Sequence, residues 1–343
     1  MRQMITIKNK EGIDPGNMRK IILDMYNQIN QGLKIAGSFS VAETINKVYI
    51  VGMGGSAIAG EILKTYITND QKQILLKGLE IIVVRDYIMP ENADEHSLAI
   101  IISYSGNTEE TISAYRDAIK KKCVCIAMTT GGKIEELFRK QNLPYLLMPK
   151  GFQPRASLVV QFFALLRVLE NSRYIKKQDE AIHETLIAIK STEKIEQTAQ
   201  QLALSLNGKI PLLYASNRLY GLAYRWKCQI NENAKLHAFV GLLSELNHNE
   251  IVGFTTKLAP FHIVFLTDEF DHQQIKKRIT IMKDLVKGKN YSTTEIAIKG
   301  NTELSRLFSG ILLGDLLSYY LAVNNNINPT PVDIIEELKK RLI

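Results

Sequence analysis

Cysteine is scarce: Cys123, Cys125 and Cys228 are all that the 343-residue chain contains. Three thiols make no disulfide framework, so a reduced, cytoplasmic protein is the expectation. Cys123 and Cys125 are assigned to opposite faces of one strand. Neither the cysteines nor the six histidines fall into metal-ligand spacing, and no metal or other cofactor is expected. A secretory signal pattern is lacking, and so is an apolar run long enough to span a bilayer. The longest candidates, "SLVVQFFALLRVL" (157–169) and "LFSGILLGDLLSYYLAV" (307–323), are broken by polar residues and read as buried helices. No G-K-[ST] follows a glycine turn, which excludes a P-loop. No short-period repeat is visible.

What the chain does have is apolar mass and spread-out basic charge. Hydrophobic residues make up 45% and charged residues 23%, enough for large cores and too balanced for global disorder. The net charge is +8. Its basic runs are short and lie on several helices, which fits solvated faces better than a nucleic-acid or membrane surface. The same bias would attract a small phosphorylated substrate.

Strand and helix patterns alternate along the chain. After a helix near 15–36, "KVYIVGM", "LEIIVVRDY", "LAIIISYS", "CVCIAMTT" and "PYLLMP" read as strands, with amphipathic helices in between. A helical stretch covers about 155–206. Alternation then restarts with "KIPLLYAS", "FHIVFLTD" and "STTEIAIK", and the tail "NPTPVDIIEELKKRL" is helical. Continuous apolar strands between helices mean parallel sheets covered on both faces. The expected fold class is α/β: two three-layer domains, residues 1–152 and 153–343, plus a C-terminal helix.

Two turns carry chemistry. "VGMGGSAIAG" (51–60) passes from strand to helix through Gly52, Gly54 and Gly55, with Ser56 at the helix start. Glycine allows positive φ and close backbone approach, and a helix N-terminus favours an anion. Taken alone, the stretch only partly matches a dinucleotide fingerprint. "ISYSGNTEET" (102–111) follows another strand and sets Ser103, Ser105 and Thr108 around Gly106. Thr108 fits an N-cap, with Thr111 three residues on. Hydroxyls beside helix-start amides suit a phosphate monoester, whereas a dinucleotide fold requires no second hydroxyl-rich loop.

Together these loops resemble the sugar isomerase (SIS) domain, in which they hold the phosphate of a phosphosugar. "QPRASL" (153–158), "NENAK" (231–235), "ELNHNEIVG" (245–253) and "NPTPVDIIEELKKRL" (328–342) extend the resemblance to the bifunctional phosphoglucose/phosphomannose isomerases, from about residue 45 to the end. Ala57 and Ala59 stand where that family often has glycine. The resemblance implies two SIS-type domains, the first carrying the phosphate loops and the second the catalytic groups. Glucose 6-phosphate and mannose 6-phosphate would interconvert with fructose 6-phosphate through a cis-enediol, without a metal. It implies Glu232 as the base at C2 and C1, and His248 as the proton donor in ring opening with Lys339 assisting. Arg155 would stabilise the enediolate. Gly54, Gly55, Ser56, Ser103, Ser105 and Thr108 would bind substrate together with Arg155, and Thr330 would leave room for a turn about C1–C2. It also implies a homodimer in which His248 completes the partner's site. On the residues alone the plainer readings lead: Glu232 as a surface helix residue, His248 as a loop bystander, Arg155 as a structural salt bridge and Lys339 as a solvated helix residue. Glu245 and Glu250 are nearby decoys, and His237 is a weaker candidate than His248 because it lies outside the matched positions. Three other readings compete: a non-catalytic phosphosugar-binding regulator, a single-substrate isomerase or amino-sugar phosphate enzyme, and a nicotinamide oxidoreductase using Asp86 for a ribose.

Overall fold

The computed structural model describes residues 12–42 and 45–342. Two helices, Met18–Leu23 (α1) and Met25–Ala36 (α2), lead to strand Lys47–Val51 (β1). Gly54–Asn69 (α3), Glu80–Val84 (β2), Ser97–Ser103 (β3), Glu109–Lys120 (α4), Val124–Thr129 (β4), Gly132–Lys140 (α5) and Tyr145–Leu147 (β5) follow. The helical stretch divides into Leu158–Asn171 (α6), Asp179–Ala188 (α7) and Thr192–Leu206 (α8). Then come Ile210–Ala215 (β6), Tyr220–Ala234 (α9), Phe239–Leu242 (β7), Leu243–Leu246 (α10), Phe261–Thr267 (β8), Gln273–Lys287 (α11) and Ser292–Ala297 (β9). Glu303–Asn324 (α12) and Asp333–Arg341 (α13) end the chain. The four-residue β7 has no counterpart among the expected strands. It is short, carries Gly241 and is nowhere fully buried, so it shows neither alternation nor a continuous apolar run.

Both sheets are parallel throughout. The first has the order β2-β1-β3-β4-β5 and the second β7-β6-β8-β9. β3 is buried at every position, as a central parallel strand with helices on both faces should be. One face of the first sheet packs on α4 and α5. Its other face shares a single continuous core with α2, α3, α6, α9 and α12 and with the second sheet. α11 covers the far side of the second sheet. The α/β class, the flanking helices and the C-terminal helix are as expected.

Two expectations need correction. Residues two apart in a strand share a face, and Cys123 and Cys125 pack in the same core layer rather than on opposite sides. α12 does have the length and hydropathy of a membrane span. It is nevertheless a core helix, almost entirely buried inside the protein.

α12 is also the bed on which α9 lies. Trp226 is fully buried and donates from Nε1 to the Gly310 carbonyl at 2.9 Å. A Cβ at Gly314 would sit 2.2 Å from the indole, so glycine there makes the close fit possible. Arg225 pairs with Asp315, with Nε–Oδ1 at 3.0 Å and Nη2–Oδ2 at 2.8 Å, and Asn233 Nδ2 donates to Ser318 Oγ at 2.9 Å. Residues 225, 226, 229, 230 and 233 thus form the buried stripe of α9 at helical spacing. Glu232 falls at the margin of that stripe.

At the start of β8, His262 is 3% exposed. Its Nδ1 lies 3.0 Å from Ser292 Oγ and 3.3 Å from Lys209 Nζ, and its Nε2 lies 2.8 Å from Thr294 Oγ1. Burial, aided by the Lys209 charge, pushes its pKa down to about 4. The folded state therefore favours the neutral ring. Its contribution to stability is whole above about pH 6.5 and is lost as pH falls from there toward 4, at no more than about 1.4 kcal/mol per pH unit. In thermal melts, the gap between the parent and His262→Gln is expected to narrow from pH 7 to pH 5. A gap unchanged over that range would contradict a buried neutral ring.

Candidate active site

In the order β2-β1-β3-β4-β5 the chain moves to opposite sides of β1, so the crevice beyond the ends of β1 and β3 is a topological switch point, where open parallel sheets bind ligands. Both glycine–hydroxyl turns border it. β1 and β3 pair in register up to Val51 and Ile101, which sets the two turns side by side. Gly52 has room only for hydrogen, because a Cβ there would come within 2.8 Å of the Ile102 carbonyl.

Each turn feeds a helix whose first two amides, Gly54 and Gly55 in α3 and Glu109 and Glu110 in α4, have no partner among the described residues. Met53 is the N-cap of α3 and provides no side-chain bond. Gly54 has φ +50° and faces open space, while Ser56 is buried in the first turn. Gly106 has φ +72°, and a Cβ there would meet the Gly131 carbonyl at 1.8 Å. Thr108 is the N-cap of α4, but its hydroxyl caps nothing. It lies 3.0 Å from Ser103 Oγ instead. Ser105 Oγ accepts from the Asn107 amide at 3.3 Å, and the residue is exposed. Two dipole-bearing helix ends with unspent amides and a hydroxyl pair between them form an anion cradle.

The cradle abuts Arg155. A Cβ at Gly55 would approach the Arg155 backbone at 2.7 Å, so the start of α3 lies directly on the short turn Pro154–Ser157. Arg155 is 1% exposed, and every edge of its guanidinium is engaged. Nε donates to Asn233 Oδ1 at 2.7 Å, and Nη2 donates to the carbonyls of Pro329 and Thr330, each at 2.8 Å. Nη1 lies 3.7 Å from Glu232 Oε2. Burial lowers the Arg155 pKa, and the Glu232 charge opposes that shift. A buried cation beside a carboxylate that remains 26% exposed can take up charge formed near the carboxylate.

The structure thus gathers Gly54, Gly55, Ser56, Ser103, Ser105, Thr108, Arg155, Glu232 and the backbone of Thr330 around one crevice. The Thr330 side chain packs against Gly16, and its buried Oγ1 has no partner among the described residues. His248 and Lys339 are not drawn in. His248 is exposed on the turn after α10. Lys339 is exposed on α13 and pairs with Glu336 at 2.9 Å. Among the described residues no hydrogen bond or ion pair joins either to Glu232. Asp86, the ribose-acid alternative, accepts from the Tyr87 amide at 2.6 Å. Asn233 and Lys235 went unnoticed in the sequence, although both stand in the "NENAK" stretch. The period of the α9 stripe was the signal that could have singled out Asn233.

Across 340 residues the chain is 40% identical to the bifunctional phosphoglucose/phosphomannose isomerase of Caldicellulosiruptor bescii, covering 95% of this chain and 98% of that one. The chain belongs to the bifunctional phosphoglucose/phosphomannose isomerase family. The isomerase of that name from Thermoplasma volcanium is 36% identical over 89% of this chain and 94% of its own. Residues 195–342 match the family model of the bacterial phospho-glucose isomerase C-terminal SIS domain. In fold, the chain superposes on the C-terminal domain of glucosamine-fructose-6-phosphate aminotransferase from Francisella tularensis with a TM-score of 0.69. That match covers 92% of this chain and 98% of the other at 16% identity. Membership in the isomerase family makes this chain an aldose–ketose isomerase acting on phosphosugars, and the crevice is its candidate active site.

Proposed function

We infer that the chain interconverts glucose 6-phosphate and mannose 6-phosphate with fructose 6-phosphate in the crevice between the two sheets. The observation that carries this reading is Glu232 facing the buried Arg155 guanidinium where the anion cradle ends. Residues 1–152 supply the cradle and residues 153–343 the acid–base groups. Residues 1–11 and 43–44 of the first span lie outside the described residues.

The phosphate anchors at Gly54–Ser56 and Ser103–Thr108. Its grip converts proton transfer into an oriented, intramolecular event. Ring opening requires a proton at the ring oxygen, for which His248 is assigned, with Lys339 assisting. Glu232 then removes the C2 proton and returns it to C1. Negative charge growing on the enediolate oxygens meets Arg155, already fixed by four partners. At the enediol C2 is planar, so glucose and mannose substrates reach one intermediate. Thr330 leaves room for the turn about C1–C2.

A homodimer accounts for the distance between His248 and the rest of the site. Ile334 and Leu338 on α13 and Leu342 just past its end form one stripe that is 84%, 58% and 65% exposed. An apolar stripe of this kind needs a cover, and a second copy of the chain is our choice. His248 would then complete the partner's crevice. The cysteine usage fits the reducing cytoplasm.

A product assay tests the reading. Supplied with fructose 6-phosphate, the protein is expected to yield both hexose 6-phosphates on chromatography. One product alone would mark a single-substrate isomerase, and none would mark a phosphosugar-binding regulator.

A further inference from the structure

Lys235 stands where a helix end ordinarily takes glycine or asparagine. It is the residue just past α9, with φ 55° and ψ 30°, a left-handed conformation unfavourable to a side chain. The residue as a whole is exposed. Its Nζ nevertheless turns back on the chain, donating to the carbonyls of Glu232 at 2.8 Å, Pro329 at 3.1 Å and Asn233 at 3.3 Å. Arg155 donates to the same Pro329 carbonyl at 2.8 Å. Two cations from different elements therefore meet on one backbone oxygen. The lysine also serves carbonyls in the last turn of α9, which the helix leaves without internal partners.

We propose that Lys235 is a positioning residue for the isomerisation, its ammonium stapling the last turn of α9 to Pro329 and so holding Glu232 against Arg155. The proposal rests on the reading of Glu232 as the base. Glycine at this position would suit the backbone better but could not bridge the two segments.

The staple is sensitive to pH. Burial, and then the Arg155 charge, push the Lys235 ammonium down to about 8, against the opposing pull of Glu232 and Asp333. These are the charged groups that face it, from the 154–157 turn, α9 and the start of α13. Above that pH the neutral amine has two N–H donors for three carbonyls, and the last turn of α9 loosens. The rate falls on the alkaline side as a result.

Two variants test this with fructose 6-phosphate as substrate. Lys235→Gly removes the ammonium while relieving the backbone, so the chain folds. Its kcat is expected to drop by about 10–10²-fold through misplacement of the base. Its KM stays near that of the parent, because the phosphate loops are untouched. Lys235→Arg restores a cation that does not titrate in this range. It is expected to recover part of kcat and to lack the alkaline limb near pH 8. Parent-level kcat in Lys235→Gly overturns the proposal, and so does an unchanged alkaline limb in Lys235→Arg. Glu232→Gln is measured alongside. Should it keep full activity, the base assignment itself is wrong, a failure distinct from that of the staple.

Discussion

Glu232→Gln is expected to abolish interconversion of fructose 6-phosphate with both hexose 6-phosphates in parallel, lowering kcat by about 10²–10⁴-fold for each. The amide keeps the size and shape of the carboxylate but cannot accept the C2 proton. The fold should hold, because Glu232 is 26% exposed and lies 3.7 Å from Arg155. Arg155 retains Asn233 and the two carbonyls of the 329–330 segment, so its buried charge is not stranded. KM should change little, since our proposal has the phosphate gripped from α3 and α4 rather than from α9. Kinetics with glucose 6-phosphate and mannose 6-phosphate, read beside a thermal melt, check all three points. Unequal losses would mean that the two sugars are not served by one base, and the planar shared intermediate would go with it.

The parts of this site that were legible in the sequence are those that backbone geometry imposes on residue type. A turn needing φ +72° with a carbonyl 1.8 Å from any Cβ admits only glycine, and Gly106 announced it. Apolar runs marked most of the described strands, because buried parallel strands have no polar face to hide them. β7 escaped because an edge strand of four half-exposed residues obeys neither rule. The setting of Arg155 was invisible for a different reason. Two of its acceptors are main-chain carbonyls of Pro329 and Thr330, 174 and 175 residues away, and a carbonyl carries no residue signature. The only signal for Asn233 was the helical period of the buried stripe on α9. On our proposal the contacts of His248 are made with a second copy of the chain, so no single-chain pattern could display them.

Arg155→Lys should do more damage than its preserved charge implies. The guanidinium distributes its bonds from Nε to Asn233, from Nη2 to two carbonyls and from Nη1 toward Glu232. A lysine offers one nitrogen in place of three. Wherever that nitrogen settles, at least one acceptor that Arg155 satisfied is left in a space with little water, at about 1–3 kcal/mol for each unpaired group. Activity should fall by about 10²–10³-fold, because the cation no longer sits where our proposal has enediolate charge develop. The two substitutions therefore part company in a melt. Glu232→Gln loses rate with little loss of stability, whereas Arg155→Lys loses both. Combining them sharpens the test. If the pair acts as one unit, the double variant should be scarcely slower than the worse single variant, since groups that work together are non-additive. Multiplicative losses in kcat would mean that Arg155 acts on the substrate independently of Glu232. Unchanged stability in Arg155→Lys would mean that the 329–330 segment is held by something other than this guanidinium.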